Sequence, residues 1–132
     1  MNQAAQDHYD KFVHNRALAK RMAALMPGDG DWSCVVLFYA AVHLVTAYLV
    51  MKSNVALDPS SAVHPQRKKA MDNCPELKDS RDKYRQLKDL SESIRYDPGF
   101  DFLPQHFSHA QSWFGRIVSI VEPKVKRQLG NK

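Results

Sequence analysis

The sequence predicts an all-α fold, an up-and-down bundle of four to five helices forming one domain over residues 1–132. Three observations predict it. Residues 32–51 contain no Asp, Glu, Lys or Arg and read as a helix buried on nearly all sides. The segments around it carry apolar residues at three- and four-residue spacing, the period of an amphipathic helix. Clusters of Pro, Gly and Asp separate the segments, as turns require. With 132 residues, a chain buries roughly two thirds of its unfolded surface and needs no covalent staple.

The first helix is expected over about 3–26, with Tyr9, Phe12, Val13, Arg16, Ala19, Ala23 and Met26 on its inner stripe. Pro27-Gly28 stops it. Asp29 or Asp31 then caps the second helix, 32–52. That helix is long enough to cross a bilayer. It also carries Ser33, Tyr39, His43, Thr46 and Tyr48, and its amphipathic neighbours need a buried partner. A core helix is therefore expected, and no membrane.

A third, short helix is expected over 65–73, because Pro65 suits a first helical position and Asn73-Cys74-Pro75 ends it. The fourth, 76–96, has Leu77, Tyr84, Leu87, Leu90 and Ile94 on one face and dense charge on the other. Asp97-Pro98-Gly99 terminates it, and Phe100–Leu103 reads as an apolar linker packed against the body. The fifth, 104–122, has Phe107, Ala110, Trp113, Phe114, Ile117, Ile120 and Val121 as its buried stripe. Pro123 is expected to kink or end it, leaving a basic tail, Lys124–Arg127.

The two cysteines, Cys34 and Cys74, are too few for a disulfide framework and lack metal-ligand spacing. The N-terminal residues have neither the basic nor the apolar region of a secretory signal. A cytoplasmic location is expected. The net charge of +5 suits acidic partners such as nucleic acid, and equally an ordinary solvated surface.

Three pieces in order carry a family resemblance. They are Trp32-Ser-Cys-Val-Val-Leu-Phe38-Tyr39-Ala40-Ala41-Val42-His43-Leu44, His64-Pro-Gln-Arg67, and Tyr84-Arg-Gln-Leu87-Lys-Asp-Leu-Ser91-Glu-Ser-Ile-Arg95-Tyr96. Together they resemble the HEPN superfamily, in particular uncharacterised bacterial HEPN-like proteins, over about residues 8–122. The resemblance implies a helical bundle, commonly a homodimer. It implies an RNA-directed function, either as a metal-independent endoribonuclease or as a defence or toxin component. The alternative is a non-catalytic module binding RNA, a nucleotide or a neighbour-encoded partner protein, as in a two-component nucleotidyltransferase or a toxin–antitoxin pair. The ribonuclease members carry an arginine, four to six residues and a histidine. No arginine in this chain has a histidine at that spacing, and from Arg95 the next histidine is His106, with ten residues between.

Candidate site residues follow from the polar groups on the apolar helices. His64, Arg67 and Arg95 are the candidate catalytic residues, since cleavage of RNA without metal needs a cation at the phosphorane and a group to move protons. Tyr39, His43, Tyr84, Ser91 and Tyr96 are the candidate pocket. Structural readings stand beside these. His43 and Tyr39 would then be satisfied core residues, His64 a helix cap, and Lys88 and Arg95 solvated edge residues. His8 and His14 on the first helix, and His106 and His109 on the fifth, lack a third ligand. No metal and no cofactor are expected.

Overall fold

The structure is a computed structural model that describes residues 3–25, 30–53 and 69–130. Four long helices carry it: α1 (Gln3–Leu25), α2 (Gly30–Ser53), α3 (Lys78–Tyr96) and α4 (Pro104–Gly130). Among the described residues there is no strand, so the all-α bundle expected from the sequence is the fold observed.

The charge-free run becomes the bundle axis. Fully buried positions occur all round α2, among them Phe38, Val42, Leu44, Val45 and Leu49. α1, α3 and α4 all pack on it. By length and composition α2 could cross a membrane, and 78% of its apolar window is buried inside the bundle. The helix begins at Gly30, so Asp31 sits in its first turn rather than before it. The Asp31 carboxylate accepts from the Trp32 N–H at 2.8 Å, where the positive end of the helix dipole favours a negative charge. A Cβ at Gly30 would stand 3.5 Å from the Phe107 ring and 3.6 Å from Phe102, in ordinary contact, so the start of α2 lies against the linker and α4.

α1 runs antiparallel to α2. Ser33 Oγ donates to the Ala19 carbonyl at 2.8 Å, and nearer the start of α1 His8 meets His43. The buried stripe of α1 is Ala5, Phe12 and Ala19, narrower than expected. Tyr9, Arg16 and Ala23 are half-buried, and Val13 is 39% exposed. Small alanines let α1 lie close on α2, and this turns the Val13 side outward. Met26 lies outside the described residues.

The described part of the short third helix is a helical turn over 69–72, and its start at Pro65 lies outside the described residues. The expected fourth helix opens with a 3₁₀ turn, Pro75–Leu77, before α3 proper. Leu77, Tyr84, Leu87 and Leu90 are buried as the spacing predicts, with Ile94 half-buried. At its end Asp97 takes an extended conformation, as a residue before proline favours. Its side chain accepts from the Gly99 N–H at 3.0 Å. The linker is packed down. Phe100 and Phe102 pack on the core and flank His106, with ring centres at 5.0 and 5.7 Å. His106 Nδ1 accepts from the Leu103 N–H at 2.8 Å.

Of the two outcomes expected at Pro123, a kink or an end, the structure overturns the end. α4 passes through Pro123 to Gly130, and Lys124–Arg127 is helical rather than a tail. A proline inside a helix costs about 3 kcal/mol. The stripe Ala110, Phe114, Ile117, Val121 continues past it to the fully buried Val125, and the burial of such a side chain contributes roughly 1.5–3 kcal/mol. Glu122, beside the proline, accepts from Tyr9 Oη at 2.8 Å and pairs with Arg16 at 3.3 Å. These bonds tie the far half of α4 to α1.

Candidate functional site

The polar row of α2 is the part of the core helix that reaches toward solvent. Along α2 the exposed Trp32 is followed by half-buried Val36, Tyr39 and His43 at four- and three-residue steps. Such residues share one helix face. Beyond them Thr46 is fully buried, and its hydroxyl donates to its own helix at the Val42 carbonyl.

Arg95, in the last turn of α3, reaches over this row. Its Nη1 donates to Tyr39 Oη at 2.9 Å and to Tyr96 Oη at 3.0 Å, and its Nε donates to the Ser91 carbonyl at 3.3 Å. Its guanidinium carbon lies 5.4 Å from the Tyr39 ring centre and 4.7 Å from that of Tyr96. Both distances are within the range of a cation–π attraction. Among the described residues no carboxylate pairs with it. The neighbouring cation, Lys88, is neutralised by Glu92 at 2.6 Å. Arg95 is therefore a fixed positive charge, held by neutral phenols and by the negative end of its own helix.

One turn along α2, His43 Nδ1 stands 3.0 Å from His8 Nδ1, and the two rings stack with centres 5.2 Å apart. A hydrogen bond between two ring nitrogens needs one protonated and one bare. The pair can thus give or accept a proton on the face of α2 that also carries Tyr39.

The structure brings together Tyr39, Arg95 and Tyr96, and sets His43 on the same face of α2 as Tyr39. Tyr84 and Ser91 are both buried on α3. The Tyr84 ring packs 5.6 Å from Phe38, and Ser91 Oγ has no hydrogen-bond partner among the described residues. His64 and Arg67 lie outside the described residues. Residue types alone do not single out His8. The signal that finds it is the antiparallel register, since moving from Ala19 back to His8 matches moving from Ser33 forward to His43 in near-equal steps.

No protein-family model matches the chain, and no curated protein is significantly similar to it. Among the described residues no three His, Cys, Asp or Glu side chains converge as metal ligands would. The His109 ring lies tilted against Trp113, 5.6 Å between centres.

Two further polar clusters fasten helices together. Tyr48 Oη donates to Glu76 Oε2 at 2.7 Å, and Lys52 Nζ donates to the same oxygen. The Lys52 and Tyr48 donors hold the Glu76 carboxyl down at about 2. Burial, then the bond to Glu76, pushes the Tyr48 hydroxyl above the ordinary tyrosine range. Burial and the bond to Glu122 likewise raise Tyr9 to about 12. Burial raises the Cys34 thiol to about 12, so it is no activated nucleophile.

Proposed function

We propose that the chain is a HEPN-like, RNA-directed protein that grips a phosphate of RNA or of a nucleotide with Arg95. The observation that supports this most is a guanidinium fixed between two tyrosine rings with no carboxylate partner among the described residues. Such a group offers remaining N–H donors to a phosphate, and exposed aromatic faces offer stacking to a base. Tyr96 is 72% exposed and is the natural stacking surface. The test is binding of single-stranded RNA oligonucleotides and mononucleotides to the full chain and to Arg95→Ala. Removing one charge-assisted hydrogen bond lowers affinity roughly tenfold or more. It also flattens the dependence of log K on log salt by about 0.7 for each phosphate that is no longer neutralised. Equal affinity and equal salt dependence for the two proteins would remove the proposal.

The His8–His43 pair favours a second reading, metal-independent cleavage at the same site. The ring whose Nδ1 donates within the pair carries its bare nitrogen at Nε2, and that nitrogen takes the proton of a ribose 2′-hydroxyl. The 2′-oxygen bonds to phosphorus, the bond from phosphorus to the 5′-oxygen breaks, and a protonated ring returns a proton to that oxygen. Arg95 balances the charge that builds on the phosphoryl oxygens. RNA cleavage in the presence of EDTA that is lost in His43→Ala supports it. Binding without cleavage supports the non-catalytic module, with a partner protein supplying any chemistry. In either case we place the protein in the cytoplasm as a homodimer. Trp32, 49% exposed at the head of the polar row, offers an aromatic surface for contact with a second copy.

A further inference from the structure

A groove of about 580 Å³ opens between α1, α2 and α4, apart from the Arg95 row. Its walls are largely apolar, formed by Val13, Ala17, Leu37, Phe107 and Phe114, with the Gln111 amide among them. The one hydroxyl in it, Ser33 Oγ, is already used by the Ala19 carbonyl. Two cations line it, Arg16 and Lys20, and no Asp or Glu does. Arg16 shares Glu122, whereas Lys20 has no ion-pair partner among the described residues. The volume suits a small molecule, for which sites span roughly 300–1,000 Å³. The combination of an apolar trough and one unneutralised ammonium suits a ligand with an apolar body and a single negative head.

We propose that this groove binds a small amphipathic carboxylate. Its chain lies against Leu37, Phe107 and Phe114, and its head meets Lys20. The site is independent of the RNA reading. It also accounts for Val13, a branched apolar side chain left exposed along the groove.

The test is calorimetric titration of the full chain with decanoate below its micelle concentration, with 1-decanol and with butyrate. Decanoate is expected to bind at one site per chain, decanol more weakly, and butyrate not at all. Lys20→Glu should weaken decanoate roughly tenfold and leave decanol unchanged. Ala17→Trp, at an exposed position, should fill the trough and abolish both while the helical circular-dichroism spectrum is retained. Equal binding of decanoate and decanol, uptake without a defined stoichiometry, or full binding by Ala17→Trp would overturn the proposal. So would self-association broken by Ala17→Trp with no decanoate uptake, which would assign the groove to a second copy of the chain.

Discussion

The Nδ1 atoms of His8 and His43 stand 3.0 Å apart, a hydrogen-bond distance that is filled when one ring donates and the other accepts. The bond joins the first turns of α1 to the middle of α2, where no ion pair joins them among the described residues. His8→Phe keeps a flat ring and removes the proton-sharing. It should cost about 1 kcal/mol and raise amide hydrogen exchange in the first turns of α1 above that around Ala19. Unchanged exchange there would show that the pair holds nothing.

Arg95 and its two phenols give a sharper test of the proposed phosphate grip. Arg95→Lys keeps the charge but loses the planar fork that meets both hydroxyls. RNA affinity should fall nearly as far as in Arg95→Ala. Tyr39→Phe removes one hydroxyl and should weaken binding only a few-fold. If Arg95→Lys binds as the parent does, any surface cation would serve.

Acid stability should report on Glu76. Its folded carboxyl is held at about 2 against an ordinary 4.5, so its contribution is present above about 4.5 and is lost as pH falls toward 2. Urea midpoints of the parent should drop across that window, and those of Glu76→Gln should drop less. The difference should shrink in high salt, because Lys52 is 49% exposed. Parallel curves would separate Glu76 from the acid response.

At the alkaline end the sign reverses for Tyr9. Its hydroxyl ionises near 12 rather than 10.0, so its contribution is full below about 10 and is lost as pH rises through 12. Tyr9→Phe should lower stability at neutral pH by about 1 kcal/mol and remove a late step from the tyrosinate absorbance titration.

Pro123→Ala restores the missing N–H inside α4. It should stabilise the protein by about 1–3 kcal/mol, the helix gain near 3 being partly offset by a more flexible unfolded chain. A lower melting temperature would mean that the proline is needed where it stands.

The helices are legible in the sequence because apolar spacing leaves few alternatives, and α2 most of all, since a run without charge can only be covered. Pro123 misleads because the local rule for proline takes no account of the stripe that continues to Val125. The narrowing of the α1 stripe to Ala5, Phe12 and Ala19 escapes the sequence because alanine says little about burial until a neighbour lies close. Tyr39, His43, Arg95 and Tyr96 are legible as polar groups on apolar helices. Their partners are not, since Arg95 meets Tyr39 and His43 meets His8 across pairs of helices. Residue types alone do not set that register.

The burial of α2 also bears on the order of synthesis. Its coat comes from both sides of the sequence, α1 before it and α3 and α4 after it. While the ribosome adds residues 54–130, on the order of ten seconds at ordinary rates, α2 has α1 as its only cover among these helices. During that interval the growing chain presents the kind of segment that chaperones bind and that insertion machinery tests for entry into a bilayer. The arrival of Ile117, Val121 and Val125 on α4 closes that choice.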